Sequence, residues 1–193
     1  MPPWPKERVA RSAPFEYTGL DYLGPFFVKE RTTLLKMWIC LLTCLSTRAI
    51  HLEWAHGLSA DQFLNCLRRF VARRGCPQLL ISDNAPQFKL VKTVLDDQLT
   101  ATIHDEAVHT YLINNIRWKF TTELAPWQGG FYEHLVGLVK RSFRKGLGQQ
   151  LLNRDNFITF VSEVEAVVNS RPLTYVYEDA NSPFVLTPTL CLG

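Results

Sequence analysis

Apolar positions recur along this chain with two periods, and each period marks an element. Residues 16–29, EYTGLDYLGPFFVK, are aromatic and aliphatic residues of strand-forming type, interrupted at Gly24-Pro25. Residues 34–45 are almost unbroken apolar sequence, the composition of a strand buried on both faces. Arg31-Thr32-Thr33 makes the turn before it. Residues 48–54, RAIHLEW, alternate and read as a third strand, so the first three strands form an antiparallel meander. Ser59 then opens a helix with the S-x-x-Q capping pattern. Phe63, Leu64, Leu67, Phe70 and Val71 form its apolar stripe, and Gly75 with Pro77 ends it. Residues 78–82 are a short strand that runs into Asp83. Residues 89–114 read as helical in one or two pieces, and residues 117–122 as a fifth strand. Pro126 and Gly129-Gly130 punctuate a loop. The next helix follows it, with Phe131, Leu135, Leu138, Val139 and Phe143 on one face and Glu133 in its first turn. Asn153 caps a last helix to residue 169, striped by Phe157, Phe160, Val161, Val164, Val167 and Val168. Arg171-Pro172 stops it, and the tail to residue 193 carries no regular element.

The picture is a single α/β domain. At 193 residues with 47% hydrophobic content, the chain supports one sizeable core. An extended, proline-rich leader is expected over 1–13, the core over 14–170 and an irregular tail over 171–193. Net charge is only +3, so total charge does not argue for nucleic acid. Its distribution says more: Arg68, Arg69, Arg73 and Arg74 cluster without an intervening acid, as do Lys140, Arg141, Arg144, Lys145 and Arg154. The five cysteines show no C-x-x-C spacing and their number is odd, which predicts free thiols in a reducing compartment. The histidines have no zinc-ligand spacing. The N-terminus lacks the apolar stretch of a signal peptide, and the longest apolar run is too short to span a bilayer. An intracellular, soluble protein is the expectation.

Three acids stand out. Asp21 lies mid-strand, where a charge needs a partner. Asp83 follows a strand end, where α/β layers build sites. Glu133 opens a helix whose same face continues through Lys140 and Arg144. Singly, each also fits an ordinary role as an edge or turn aspartate, or as a capping glutamate on a solvated helix.

Together with their surroundings, these acids resemble the catalytic core of a D,D,E retroelement integrase, most nearly the BEL/Pao group of LTR retrotransposons. The matching stretches are PFEYTGLDYLGPF, STRAIHLE, LLISDNAPQF, APWQGGFYEHLVGLVKRSFRK, NSRPLTYV and LTPTLCLG, from Pro14 to Gly193. The resemblance implies an RNase H-like fold, a five-stranded mixed sheet flanked by helices. It implies metal-dependent 3′-end processing and strand transfer of double-stranded DNA, with two Mg²⁺ (or Mn²⁺) ions held by Asp21, Asp83 and Glu133. Asn84 and Gln87 are then candidates to orient DNA, and Lys140, Arg141, Arg144 and Lys145 to hold its phosphates. A homo-oligomer working in the nucleus after cytoplasmic synthesis is also implied.

The chain departs from retroviral relatives in two places. The segment between Asp83 and Glu133 is longer, and Gly137 stands where those relatives place a DNA-contacting lysine. The 193 residues match the family's core without its usual N-terminal zinc-binding flank. Two alternatives stay open: a degenerate or domesticated core that binds DNA or itself without catalysis, and a hydrolytic nuclease of the same fold.

Overall fold

The computed structural model describes residues 12–84, 88–89, 92–93, 116–120, 126–148, 150–173 and 185–192, with only the backbone for 126–133. The elements run β1 (Tyr17–Glu30), β2 (Thr33–Cys44), β3 (Ile50–Ala55), α1 (Ala60–Arg74), β4 (Leu79–Ser82), β5 (Arg117–Phe120), α2 (Pro126–Leu147) and α3 (Arg154–Asn169). A short 3₁₀ turn, Thr189–Leu192, follows within the tail read as irregular. The five strands form one sheet in the order β3-β2-β1-β4-β5. The first three are an antiparallel meander, while β4 and β5 add in parallel to β1. This is the mixed five-stranded sheet expected from the sequence. Most of the predicted 89–114 helical stretch, and residues 1–11 of the leader, lie outside the described residues.

Two apolar layers sandwich the sheet. One gathers Leu20, Cys40, Leu42 and Cys44 under α1 through Phe63, Leu64, Leu67 and Phe70. The other gathers Leu23, Ile39, Leu41 and Leu52 under α2 and α3 through Val139, Phe143, Phe157, Val161 and Val164. Alternate residues of β2 feed opposite layers, which is why residues 39–42 are apolar without a break. Only that half of β2 is buried on both faces; Thr33, Leu34 and Lys36 are exposed. Truncating a residue such as Leu41 to Ala costs roughly 2–5 kcal/mol in such a setting.

The cap signals in the sequence act as read. Ser59 Oγ accepts from the Gln62 N–H, and Asn153 Oδ1 from the Asn156 N–H at 2.8 Å. The return half of the first capping box is redirected: Gln62 Oε1 accepts from the His56 N–H at 3.2 Å. Gly75 at φ 88° ends α1 in a conformation that suits glycine.

The interruption at Gly24-Pro25 is present as a slip in the pairing with β2 between Leu23 and Phe26, after which pairing resumes. In β3 the alternating polar residues His51 and Glu53 are both buried. Expectations for the later helices need correcting. Helix α2 starts at Pro126 and runs through Gly129-Gly130, so Glu133 is not in its first turn. Proline is well suited to that opening position, where its missing N–H has no helical partner to lose. Val167 in α3 is 63% exposed and leaves the predicted stripe. Among the described residues no helix is long and apolar enough to cross a membrane, and all five cysteines are free.

Candidate functional site

The parallel pairing of β1 with β4 sets the geometry. Leu20 faces Ser82 across the two strands, the last pair in a register that begins with Tyr17 and Leu79. The next residue on each strand is an aspartate, Asp21 and Asp83. On β1, Leu20 belongs to the α1 layer and Leu23 to the opposite layer, so alternation puts Asp21 on the α2 face. On β4, Leu80 belongs to the α1 layer, and the same count puts Asp83 on the α2 face. Asp21 is half-buried and accepts from the Tyr22 N–H at 2.7 Å. Asp83 is exposed and Asn84 half-buried.

Below this point the α1 layer is aromatic. Tyr22 stacks on Phe88 at 5.4 Å, and Phe63 and Trp118 pack around Phe88. The Trp118 indole N–H donates to Ser82 Oγ at 2.9 Å, and Ser82 Oγ donates to the Asp83 carbonyl at 3.0 Å. Each aspartate is thus adjacent in sequence to a residue anchored in this layer, Tyr22 or Ser82.

Helix α2 brings the remaining candidates. Its buried side, Leu135, Val136, Val139 and Phe143, lies on the layer that contains Leu23 and Leu41. Glu133 precedes Val136 by one helical turn; its side chain, and all of Gln87, lie outside the described residues. Lys140, Arg141, Arg144 and Lys145 are exposed. Among the described residues no group of three or more His, Cys, Asp or Glu side chains clusters as a metal site. The carboxylate oxygens of Asp21 and Asp83 are nevertheless hard donors of the kind that Mg²⁺ takes.

Three arginines of the other basic cluster pair with carboxylates of the chain. Arg69 Nε meets Glu53 at 2.5 Å, Arg73 meets Glu53 at 3.1 Å, and Arg74 meets Glu165 at 2.7 Å. His51 sits between these carboxylates, 3.0 Å from Glu53 and 3.3 Å from Glu165. Burial opposes charge on His51, but its hydrogen bonds to Glu165 and Glu53 outweigh that and raise its pKa. Burial likewise raises the pKa of each glutamate, but hydrogen bonds and charge from His51 and the arginines outweigh it and lower both. The sequence signal for this network was the polar pair His51/Glu53 alternating through an otherwise apolar strand. Its partners come from α1 and, more than a hundred residues later, from α3.

No protein-family model matches the chain, and no curated protein matches it in sequence. Solved structures do match. One chain of the cryo-EM structure of the simian T-cell lymphotropic virus intasome in complex with PP2A regulatory subunit B56 gamma aligns with 98% of this chain, at 16% identity and a TM-score of 0.62. The present chain spans 59% of that one's length. The HTLV-2 integrase catalytic core domain in complex with magnesium, in trimeric and dimeric forms, aligns with 94% of this chain at 14% identity and a TM-score of 0.58. Of that domain, 98% is covered. The fold is that of an integrase catalytic core.

Proposed function

We propose that the chain is the core of a BEL/Pao-like retroelement integrase, a metal-dependent polynucleotidyl transferase that processes DNA 3′ ends and joins them to target DNA. The observation that carries this reading is the register of β1 on β4, whose last pair, Leu20 and Ser82, immediately precedes Asp21 and Asp83. Asp21, Asp83 and Glu133 would hold the metal. Bound Mg²⁺ or Mn²⁺ supplies Lewis-acid activation of the attacking oxygen and charge neutralisation at the scissile phosphate.

The chain's own contribution is placement. Asp21, half-buried, is fixed by its strand and by the Tyr22 N–H. Asp83 is exposed at the strand end, open to a DNA end. The exposed cations of α2, Lys140, Arg141, Arg144 and Lys145, hold phosphates on either side of the reacting one, and Asn84 and Gln87 orient the strand. In-line attack by water yields a processed end, and attack by a DNA 3′-hydroxyl yields a joined one; neither needs a covalent protein intermediate. Residues 14–170 form the working core, with 171–193 as its tail. The magnesium complex of the HTLV-2 core, and its dimeric and trimeric forms, support the metal and a homo-oligomer as part of this reading. Action on nuclear DNA follows from the same proposal.

Labelled duplex ends incubated with Mg²⁺ or Mn²⁺ test it. End nicking together with joining to a second duplex is expected, and Asp21→Asn, Asp83→Asn and Glu133→Gln should each abolish both while leaving DNA binding intact. Nicking without joining would indicate a hydrolytic nuclease, and binding without either a non-catalytic core.

A further inference from the structure

We propose that Trp118 and Ser82 are positioning residues that hold the backbone from which Asp83 presents its carboxylate, an inference that rests on the metal-dependent reading above. Strand β4 fixes the backbone up to Ser82 through its pairing with Leu20 on one side and Phe120 on the other. Asp83 lies beyond that pairing, so its own backbone dihedrals are left to define. Ser82 Oγ donates to the Asp83 carbonyl at 3.0 Å. A serine hydroxyl has one hydrogen and can rotate it elsewhere. Here the Trp118 N–H, at 2.9 Å, occupies a lone pair of the same oxygen and directs the hydrogen toward Asp83. Successive hydrogen bonds of this kind strengthen each other where water is excluded, and Ser82 is 0% exposed.

The indole in turn is held by its ring. Its centroid lies 5.5 Å from that of Phe63, 6.2 Å from that of Phe88 and 6.0 Å from that of Phe120. Phe88 also stacks on Tyr22, the residue after Asp21. One aromatic block therefore locates both aspartate-bearing segments, and the indole nitrogen is its polar contact with the Asp83 side. Neither Trp118 nor Ser82 touches substrate; both act through Asp83, as partners behind a metal ligand commonly do.

Trp118→Phe keeps the ring and removes the N–H, and Ser82→Ala removes the hydroxyl. Two readouts apply: the Mg²⁺ midpoint of the rise in melting temperature, and kcat against KM in end nicking. In each variant the Mg²⁺ midpoint is expected to move up about tenfold, with kcat falling and KM for DNA unchanged. The double variant is expected to lose no more than either single one, because both cut the same chain of bonds. If Ser82→Ala does not fold, Trp118→Phe alone decides. A wild-type protein with no Mg²⁺ response overturns the metal site and this role with it. A wild-type response that Trp118→Phe retains at the same midpoint overturns the positioning role alone.

Discussion

Asn169 holds both backbone groups of Ile50: its Oδ1 accepts from the Ile50 N–H at 2.8 Å, and its Nδ2 donates to the Ile50 carbonyl at 2.8 Å. The side-chain amide does for the outer edge of β3 what a neighbouring strand would do. Glu165 Oε2 accepts from the Leu52 N–H at 2.7 Å, and Arg69 donates to the Trp54 carbonyl at 2.7 Å. An edge strand left open is a template for pairing with another chain. Side chains of α3 and α1 close this one.

Asn169→Ala strands a buried donor and a buried acceptor. Each unsatisfied group costs roughly 1–3 kcal/mol, so a loss of about 2–6 kcal/mol is expected in urea unfolding. Asn169→Asp keeps the acceptor and sets a carboxylate against the Ile50 carbonyl, so it should not restore stability. An unchanged urea midpoint for Asn169→Ala would show that the amide contributes nothing to this edge.

Asn169 also shows where sequence reading stops. The caps at Ser59 and Asn153, the stripe of α1 and the meander are local patterns, and they were legible because local geometry determines them. The β1–β4 register was legible only indirectly, through the family resemblance that paired Asp21 with Asp83. The role of Asn169 was not legible, because its partner Ile50 lies over a hundred residues away and any polar residue before Ser170-Arg171-Pro172 reads as a helix end. The partners of the α1 arginines were hidden for the same reason: no acid stands in their own stretch, and Glu53 and Glu165 reach them from β3 and α3. Gly129-Gly130 misled in the other direction. Local propensity marked a loop, and the helix begins before it at Pro126.

The network around His51 makes stability depend on pH. His51 and Glu53 from β3, Glu165 from α3 and Arg69, Arg73 and Arg74 from α1 face one another. Folding raises the His51 pKa, so its contribution is complete below the unfolded value of about 6.5 and is lost as pH rises through the folded value. Folding lowers the pKa of Glu53 and Glu165, so theirs is complete above about 4.3 and is lost as pH falls through the folded values. Stability measured by denaturant midpoint is expected to be highest between these limits. His51→Gln should flatten the alkaline limb and leave the acid limb in place; an unaltered alkaline limb would remove His51 from the linkage.

Gly146 in α2 lies under Phe160 of α3. A Cβ added there would stand 2.4 Å from the Phe160 Cζ and 2.5 Å from its Cε2. Phe160 is itself packed edge-on to Phe143, with ring centroids 5.3 Å apart. In an open helix, alanine for glycine gains about 1 kcal/mol; overpacking costs roughly 1–3 kcal/mol and is expected to win here. Gly146→Ala should therefore lower stability in the wild type and raise it in a Phe160→Leu background, which removes the ring atoms concerned. The same loss in both backgrounds would mean that the contact is not responsible.

The last expectation separates the two groups of cations. Arg73 and Arg74 already face carboxylates of their own chain, and Arg69 is held by Glu53. Lys140, Arg141, Arg144 and Lys145 are exposed on α2. Each phosphate contact by a cation releases a counterion, and losing one reduces the slope of log affinity against log salt by about 0.9 on duplex DNA. Replacing Lys140 and Arg144 together by Ala is expected to weaken binding to every duplex sequence and to reduce the slope by about 1.8. Arg73→Ala should leave the slope unchanged; its side chain is 61% exposed, so the lost ion pair costs about 0–1 kcal/mol of stability. Salt titrations of duplex binding for the three proteins decide the matter. An unaltered slope in the Lys140/Arg144 double variant would return that row to an ordinary solvated helix face, and a reduced slope in Arg73→Ala would mean that α1 contacts DNA in spite of its internal pairing.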